Sequence, residues 1–307
     1  MSQVSNPSDR KSDRKTRIIL GCGYVGLQVA KLWLSAGDRV LAVTRSIDRA
    51  SELVKLGIEP VVWDWLETSH ESASPLADLS TPPVATVLIA VSHASSSHAV
   101  GLAQLSKCPV VNPDSGQPRW IYLSTTGVFA DPPAEGSLWV DETSPVEPKR
   151  SGSINALEAE RWLESAGIEH VVLRPAGIYG PGRIPNLQPL RDGESMAIDP
   201  ESYLNLIHVE DLAQAIAAVA EGSIKHRLYC VCDGNSVKRK EYYEFIAQRL
   251  GLRKPVFSEY SNKENIRKRG QGNKQVSNQR LLADYALDLH YPDYRIGLSS
   301  LVEEMSR

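Results

Sequence analysis

Four cysteines in 307 residues, at positions 22, 108, 230 and 232, are too few and too unevenly spaced for a disulfide framework. Cys230 and Cys232 make C-x-C, which is neither a zinc nor a redox spacing, and no metal site is expected. Reduced thiols, and with them a cytoplasmic location, are the reading that fits. No apolar run approaches the roughly 18 residues that a membrane helix needs. An excess of charge of either sign is missing too: 34 Lys and Arg against 37 Asp and Glu leave a net charge of −3. That gives no reason to expect nucleic acid or an anionic membrane as a partner. The polar opening MSQVSNPSDRKSDRKTR has no apolar core of a secretory signal, and residues 1–16 read as a disordered lead-in. There is no internal repeat and no long low-complexity tract. What the chain does have is 42% hydrophobic residues, enough for a buried core, in a length that suits one large α/β domain with an appended lobe, or two domains.

The stretch that organises the rest is Arg17 to Gly37, RIILGCGYVGLQVAKLWLSAG. A short apolar run, Ile18 to Leu20, enters the turn Gly21-Cys22-Gly23-Tyr24-Val25-Gly26. An amphipathic helix follows, with Val25, Val29, Leu32 and Trp33 on one face and Gly37 as its stop. Strand, G-x-G-x-x-G and helix in this order form a dinucleotide-binding fingerprint in its required context. Gly21 permits the tight turn, Gly23 lets a pyrophosphate approach the backbone, and Gly26 lets helix and strand pack. The anion then sits on free N–H groups at the positive end of the helix.

Beyond it, Arg39 to Val43 reads as a second strand, Ile47 to Leu56 as a helix and Pro60 to Trp63 as a third strand. Ala85 to Val91 is a continuous apolar run, as in a parallel strand buried on both faces, and Ala90 near its end is a candidate cofactor contact. Ser96 to Leu105 reads as a helix and Trp120 to Leu123 as a fifth strand. Residues 130–150, rich in proline and acid, read as an irregular loop. A helix over Ser153 to Ala166 and a strand over His170 to Leu173 follow, then a strand over Tyr203 to Ile207 and helices over Val209 to Ala220 and Lys238 to Leu250. Such alternation predicts an α/β fold with a doubly wound parallel sheet of Rossmann type. The expected division is a disordered segment 1–16, a dinucleotide-binding domain 17–183 and a smaller C-terminal substrate lobe 184–307.

The cofactor is read from the end of the second strand. An acid there, about 20 positions past the glycines, binds the ribose 2′-hydroxyl of NAD, whereas arginine accommodates the 2′-phosphate of NADP. The chain has Thr44-Arg45-Ser46 and no acid, so NADP is preferred, with NAD as the alternative and a plain surface arginine as the reading without a ligand. Asp64, at the end of the third strand, either meets the adenine amino group or caps its own loop as an Asx turn.

GCGYVG, YLSTTGVFAD (122–131), LWVDETSPVEP (138–148), LRPAGIYGPGR (173–183), LIHVEDLAQAI (206–216) and YPDYRIGLSSLV (291–302) together resemble, in that order, the segments of an extended short-chain dehydrogenase/reductase of the NAD-dependent epimerase/dehydratase family. Within it the chain is similar to the atypical members. The resemblance implies an oxidoreductase or epimerase acting on a small carbonyl or nucleotide-sugar substrate, with Arg174 behind the nicotinamide, and it allows a homodimer. One departure stands out. The family's Y-x-x-x-K, whose tyrosine is the acid/base and whose lysine lowers its pKa, would fall on Gly152 and Ala156, and no tyrosine in the chain has a lysine four positions later.

What remains at the reaction centre is Thr125, where the family has its substrate-orienting hydroxyl, and His93, just past the fourth strand, whose imidazole can replace the tyrosine. The alternatives are that Thr125 satisfies a strand-end carbonyl and that His93 is a solvated loop residue. Asp141 and Glu142 resemble the family's acidic pair, and His208 is either a substrate contact or a hydrogen-bonded structural histidine. Asp211 complements the amino end of the helix after it. Lys263, Arg267, Lys268, Arg269, Lys274 and Arg280 form a basic cluster, a solvated face or a clamp for a phosphate-bearing substrate. The competing function is a dinucleotide-binding sensor or regulator without turnover, which the missing tyrosine and lysine favour.

Overall fold

The structure, a computed structural model, describes residues 14–67, 75–76, 83–93, 98–111, 116–133, 137–258 and 272–305. The lead-in before residue 14, the connection between the third and fourth strands, and the basic residues 263–269 lie outside them. The elements of the first part are β1 (Thr16–Leu20), α1 (Tyr24–Ser35), β2 (Arg39–Thr44), α2 (Ile47–Lys55), β3 (Glu59–Val62), β4 (Val84–Ile89), α3 (His98–Leu105) and β5 (Arg119–Leu123). There follow β6 (Trp139–Val140), α4 (Ser151–Ser165), β7 (His170–Pro175), β8 (Gly177–Tyr179), α5 (Leu187–Arg191), β9 (Ser195–Met196), β10 (Tyr203–Leu204), β11 (Leu206–His208) and α6 (Val209–Glu221). The last are β12 (Leu228–Val231), β13 (Val237–Lys238), α7 (Arg239–Arg249), β14 (Val256–Phe257), β15 (Gln275–Val276), α8 (Gln279–Tyr285) and α9 (Tyr294–Met305).

The central sheet has seven strands in the order β12-β7-β5-β4-β1-β2-β3, and β1 pairs in parallel with both β2 and β4. The doubly wound parallel α/β fold expected from the alternating pattern is therefore the fold found. The order reverses direction at β1 and β4, the place where such sheets open a crevice beyond their carboxyl ends. By internal contacts the chain forms two compact units, residues 1–122 with 158–171, and residues 123–157 with 172–307. The boundary drawn at 183 from the sequence follows chain order, whereas the contacts of the folded chain gather residues 123–157 with the later segments.

In the first unit every residue of β1 is buried, which is why TRIIL is apolar without alternation. Two polar side chains enter this core as a set. Arg17, 1% exposed, donates to Asp38 at 2.8 Å and to the Thr86 hydroxyl, and its guanidinium lies 5.2 Å from the Trp33 ring centroid. The helix α1 buries Val25, Gly26, Val29, Ala30 and Trp33, the spacing of one helical face. It ends as its sequence predicts: Gly37 takes φ +91° and the Asp38 N–H reaches back to the Trp33 carbonyl at 2.9 Å, a Schellman closure.

The second unit contains the parallel pair β7–β12 and four two-stranded pieces, β8–β11, β10–β13, β9–β14 and β6–β15. The segment Tyr203 to Ile207, read as one strand, is two. Asn205 interrupts it because its side chain is engaged elsewhere, donating to the Lys274 carbonyl and accepting from the Val276 N–H and the Ser236 hydroxyl. The loop 130–150 contains a short strand, β6, which pairs with β15 far along the chain. Asp211 does more than face its helix terminus: its carboxylate accepts the N–H groups of His290 and Tyr291 at 2.8 and 2.9 Å and so fixes the approach to α9.

The Arg17 set yields a stability prediction. Arg17→Met removes the cation and leaves the buried Asp38 carboxylate without it, a change that costs about 3–5 kcal/mol in buried pairs. Urea unfolding is expected to show a loss of that order, and Arg39→Met, at the half-exposed Arg39–Glu59 pair, about 1 kcal/mol or less.

Candidate functional site

Two cavities hold the candidate residues, one in each unit. In the first unit the end of β1 turns at Gly21, whose φ is +89°. A Cβ there would stand 2.6 Å from Val91 Cγ1 and 2.8 Å from the Ala90 carbonyl oxygen, so the residue has to be glycine for space as well as conformation. Gly26 is packed as closely, a Cβ falling 2.5 Å from the Gly21 carbonyl oxygen. Gly23 is different. A Cβ on it would meet no protein atom within 4 Å. Packing does not demand glycine at 23, and the open space above its backbone is where a ligand can touch the main chain. The helix α1 that starts there carries no side-chain cap and no acid in its first turn, so its N–H groups and dipole suit an anion. The residues present therefore fit a pyrophosphate.

A cleft of about 300 Å³ opens beside this turn, lined among others by Gly21, Cys22, Gly23, Arg45, Asp64 and Ala90. Tyr24 is half-buried, while Val25 and Gly26 are buried on the core side of α1. Arg45 is exposed and stands 3.7 Å from Asp64, and Asp64 also accepts the Leu66 N–H as an Asx turn. A second arginine, which the sequence reading did not single out, joins them. Arg49 on α2 lines the cleft, donates to the Cys22 carbonyl at 3.0 Å and pairs with Glu52. Its signal was the spacing Arg45 to Arg49, one helical turn into α2. Burial pushes the Cys22 thiol up to about 11, with Arg49 opposing; at neutral pH it is a thiol.

His93 lies beside a second histidine rather than in open solvent. Its ring is 4.9 Å from that of His98 and 5.8 Å from that of Tyr122. His98 is fully buried, with Nε2 at 3.1 Å from the Ser92 carbonyl and Nδ1 at 3.0 Å from the Tyr122 hydroxyl. A carbonyl only accepts, so Nε2 carries the proton and Nδ1 accepts from the tyrosine. Burial and the neighbouring His93 bring His98 down to about 4, and burial raises Tyr122 well above its ordinary value.

In the second unit Thr125 follows β5, half-buried, and its hydroxyl oxygen accepts the Gly127 N–H at 3.0 Å, capping a short turn of helix. The hydroxyl proton is left to donate into a cavity of about 180 Å³ that Thr125 lines together with Asp131, Lys149, Arg150, Arg239 and Lys274 among others. Where the family places tyrosine and lysine, Gly152 lies in the first turn of α4, and Ala156 is fully buried against Val128 and Leu157. Arg174 is 4% exposed with its guanidinium 4.8 Å over the Phe129 ring. Glu142, expected in a loop, is instead buried, accepting the Cys230 N–H at 2.7 Å beside Arg280. His208 caps α6 by accepting the Glu210 N–H and lies between Tyr179, which it meets edge-on, and the tilted ring of Tyr291. It lines neither cavity. Among the described residues no helix is long and apolar enough to cross a membrane.

With known proteins the agreement is widest in three dimensions. No family model matches the sequence. Protein YeeZ of Escherichia coli K12 is 32% identical over 177 residues, 57% of this chain and 60% of the relative, so less than two thirds of that relative's length is matched. A functionally unknown conserved protein from Silicibacter pomeroyi superposes with a TM-score of 0.78 at 27% identity, over 95% of this chain and all of the other. The UDP-glucose 4-epimerase of Thermus thermophilus, solved with NAD, superposes with a TM-score of 0.73 at 17% identity, over 95% of this chain and 99% of the epimerase. The fold is thus that of the epimerase/dehydratase enzymes, as the motifs implied.

The buried histidines predict an acid-side loss of stability. Burial lowers His208 to about 4, as it does His98. A histidine depressed in the folded state stabilises fully above its unfolded pKa of about 6.5 and loses that contribution as pH falls toward 4. Asp233, raised to about 8 by burial against the opposing Asn235 N–H, pulls the other way from pH 8 down to 4. Comparison of single variants separates them: His208→Gln is expected to flatten the denaturation midpoint between pH 6.5 and 4 relative to the parent chain, by about one proton's worth of slope.

Proposed function

We propose that this chain is an NAD(P)-dependent oxidoreductase or epimerase, preferring NADP(H), that acts on a small carbonyl or nucleotide-sugar type of substrate with a proton donor other than tyrosine. The observation that carries the cofactor half is the open space over Gly23 at the uncapped start of α1. Gly21, Gly23 and the first turn of α1 would hold the pyrophosphate, and Arg45 with Arg49 the adenosine 2′-phosphate, a dianion that two guanidinium groups recognise better than a neutral hydroxyl does. Asp64 partly offsets Arg45, but the pair is exposed and worth at most about 1 kcal/mol, so an incoming phosphate can take the arginine. The bound dinucleotide supplies the hydride.

The chain's own residues supply the rest. Thr125 Oγ1 accepts the Gly127 N–H and lines the cavity, where its rotatable O–H would donate to a substrate oxygen. A hydroxyl donor of this kind stabilises negative charge on that oxygen without itself becoming a base at neutral pH. Arg150, in the same cavity, is permanently charged and holds such an oxygen by charge-assisted hydrogen bonds. A proton then comes from solvent or from the substrate's own hydroxyl. The sensor reading is favoured by a single fact, the burial of Ala156 where a ribose-binding lysine would be.

Titrations with NADPH and NADH test the cofactor. NADPH is expected to bind more tightly than NADH, and Arg45→Ala or Arg49→Ala to weaken NADPH about tenfold or more, the loss of a charged hydrogen-bond pair, with little effect on NADH. Tighter binding of NADH by the parent chain would overturn the preference. Thr125→Ala is expected to cut carbonyl-dependent NADPH oxidation about 100-fold or more; cofactor binding with no oxidation across carbonyl compounds and nucleotide sugars would leave the sensor.

A further inference from the structure

The cavity of the second unit is net positive in a chain that is net negative. The whole sequence carries −3, yet this cavity is lined by four basic side chains, Lys149, Arg150, Arg239 and Lys274, against two acidic ones, Asp131 and Glu147. The four come from three separate places: the lead into α4, which supplies two of them, the start of α7 and the lead into β15. Their convergence is therefore not a local run of basic residues but a product of the fold.

Each cation is held in place. Arg239 is 5% exposed, its Nε donating to the Ser202 hydroxyl at 2.8 Å and its Nη2 to the Tyr203 carbonyl at 3.2 Å. The Lys274 ammonium lies 3.4 Å from the Phe129 carbonyl and 5.6 Å from that ring's centroid. Lys149 pairs with Asp131 at 3.0 Å. Arg150 is seated by a missing side chain: a Cβ on Gly127 would fall 2.7 Å from its Nη2. Arg150 also accepts the Ser153 and Ile154 N–H groups with its carbonyl, so two cations stand at the positive end of α4, whose first turn carries no acid. Stability alone disfavours that placement, since cations are stabilising at the other end of a helix. An anion in the cavity reverses the sign.

Size narrows the class. Sites for drug-sized ligands run to about 300–1,000 Å³, and the described residues enclose about 180 Å³ here. We infer that this cavity receives a small oxyanion, a carboxylate or phosphate carried by a compact carbonyl substrate, with Lys149, Arg150 and Lys274 as its specificity-determining residues. Calling that ligand the substrate rests on the function proposed above; the binding of the anion does not.

Calorimetry on the full chain tests it with inorganic phosphate, acetate and UDP-glucose as probes, with NADPH titrated separately into each variant. Phosphate, acetate or both are expected to bind in the millimolar range, and Arg150→Ala and Lys274→Ala each to weaken that binding tenfold or more. Arg150→Lys should retain most of it, and NADPH affinity should not change. Phosphate alone would identify the ligand group as a phosphate ester, acetate alone as a carboxylate. Binding of neither at tens of millimolar, anion binding indifferent to both alanine variants, or UDP-glucose binding tighter than phosphate would overturn the proposal. Anion binding in a chain that takes no NADPH would uphold it while the hydride-transfer reading fell.

Discussion

The tightest constraint in the molecule is the approach of bare backbone to backbone at the end of β1. The Gly26 position on α1 comes so near the Gly21 carbonyl that a methyl group would stand 2.5 Å from it, and a methyl on Gly21 would stand 2.6 Å from Val91 beyond β4. A separation of that size is closer than packed atoms tolerate, so a larger residue at either place must displace the helix or the strand end. Three elements are thus locked at one point. The other end of β1 is fixed by polar contacts, since Arg17 reaches Asp38 after α1 and Thr86 on β4. With both ends pinned, the strand aims the free N–H groups of α1 at the one glycine of the turn, Gly23, that has open space above it. The cofactor site proposed for the first unit relies on this packing.

The parts of the fold that were legible in the sequence are those whose cause is local. The strands β1, β2 and β4 are buried along nearly their whole length, so each announces itself as an apolar run. Gly37 closes α1 by a contact spanning five residues, which a sequence window can see. The elements that were not legible depend on partners far along the chain. Trp139 and Val140 form a strand only because Gln275 and Val276 lie beside them, and a two-residue strand has no periodicity to detect. Asn205 splits a strand because its amide is claimed by residues about 30 and 70 positions later.

The candidate site divides the same way. The glycine turn and Arg45 sit at fixed offsets from a strand and could be read directly. Arg49 escaped notice because an arginine in an exposed amphipathic helix has an ordinary explanation, and only the fold turns its guanidinium toward the Cys22 carbonyl. Glu142 was read as a loop acid because nothing in DETSP shows that its carboxylate is 3% exposed and bound to the β12 backbone. Two histidines have ordinary explanations as well: His208, read as either a substrate contact or a hydrogen-bonded structural histidine, and His98, which drew no reading. A histidine near a strand end invites a catalytic reading, but both are buried, neutral and committed to hydrogen bonds, which is the usual fate of an imidazole without a charged neighbour.

The resemblance puts a tyrosine and a lysine on α4 where this chain has Gly152 and Ala156. A tyrosine acid/base discriminates between substrates by little beyond the position of its oxygen, so shape must select the substrate. Here Ala156 is part of an apolar core, and the basic groups at the head of α4 are Lys149 and Arg150. Cations in that place stabilise negative charge wherever it develops. On the function proposed above, such a site selects by charge first and stabilises an oxyanion electrostatically in place of a tyrosine donor. The cationic lining and the absent tyrosine then belong together on that proposed function, since both lie at the head of α4.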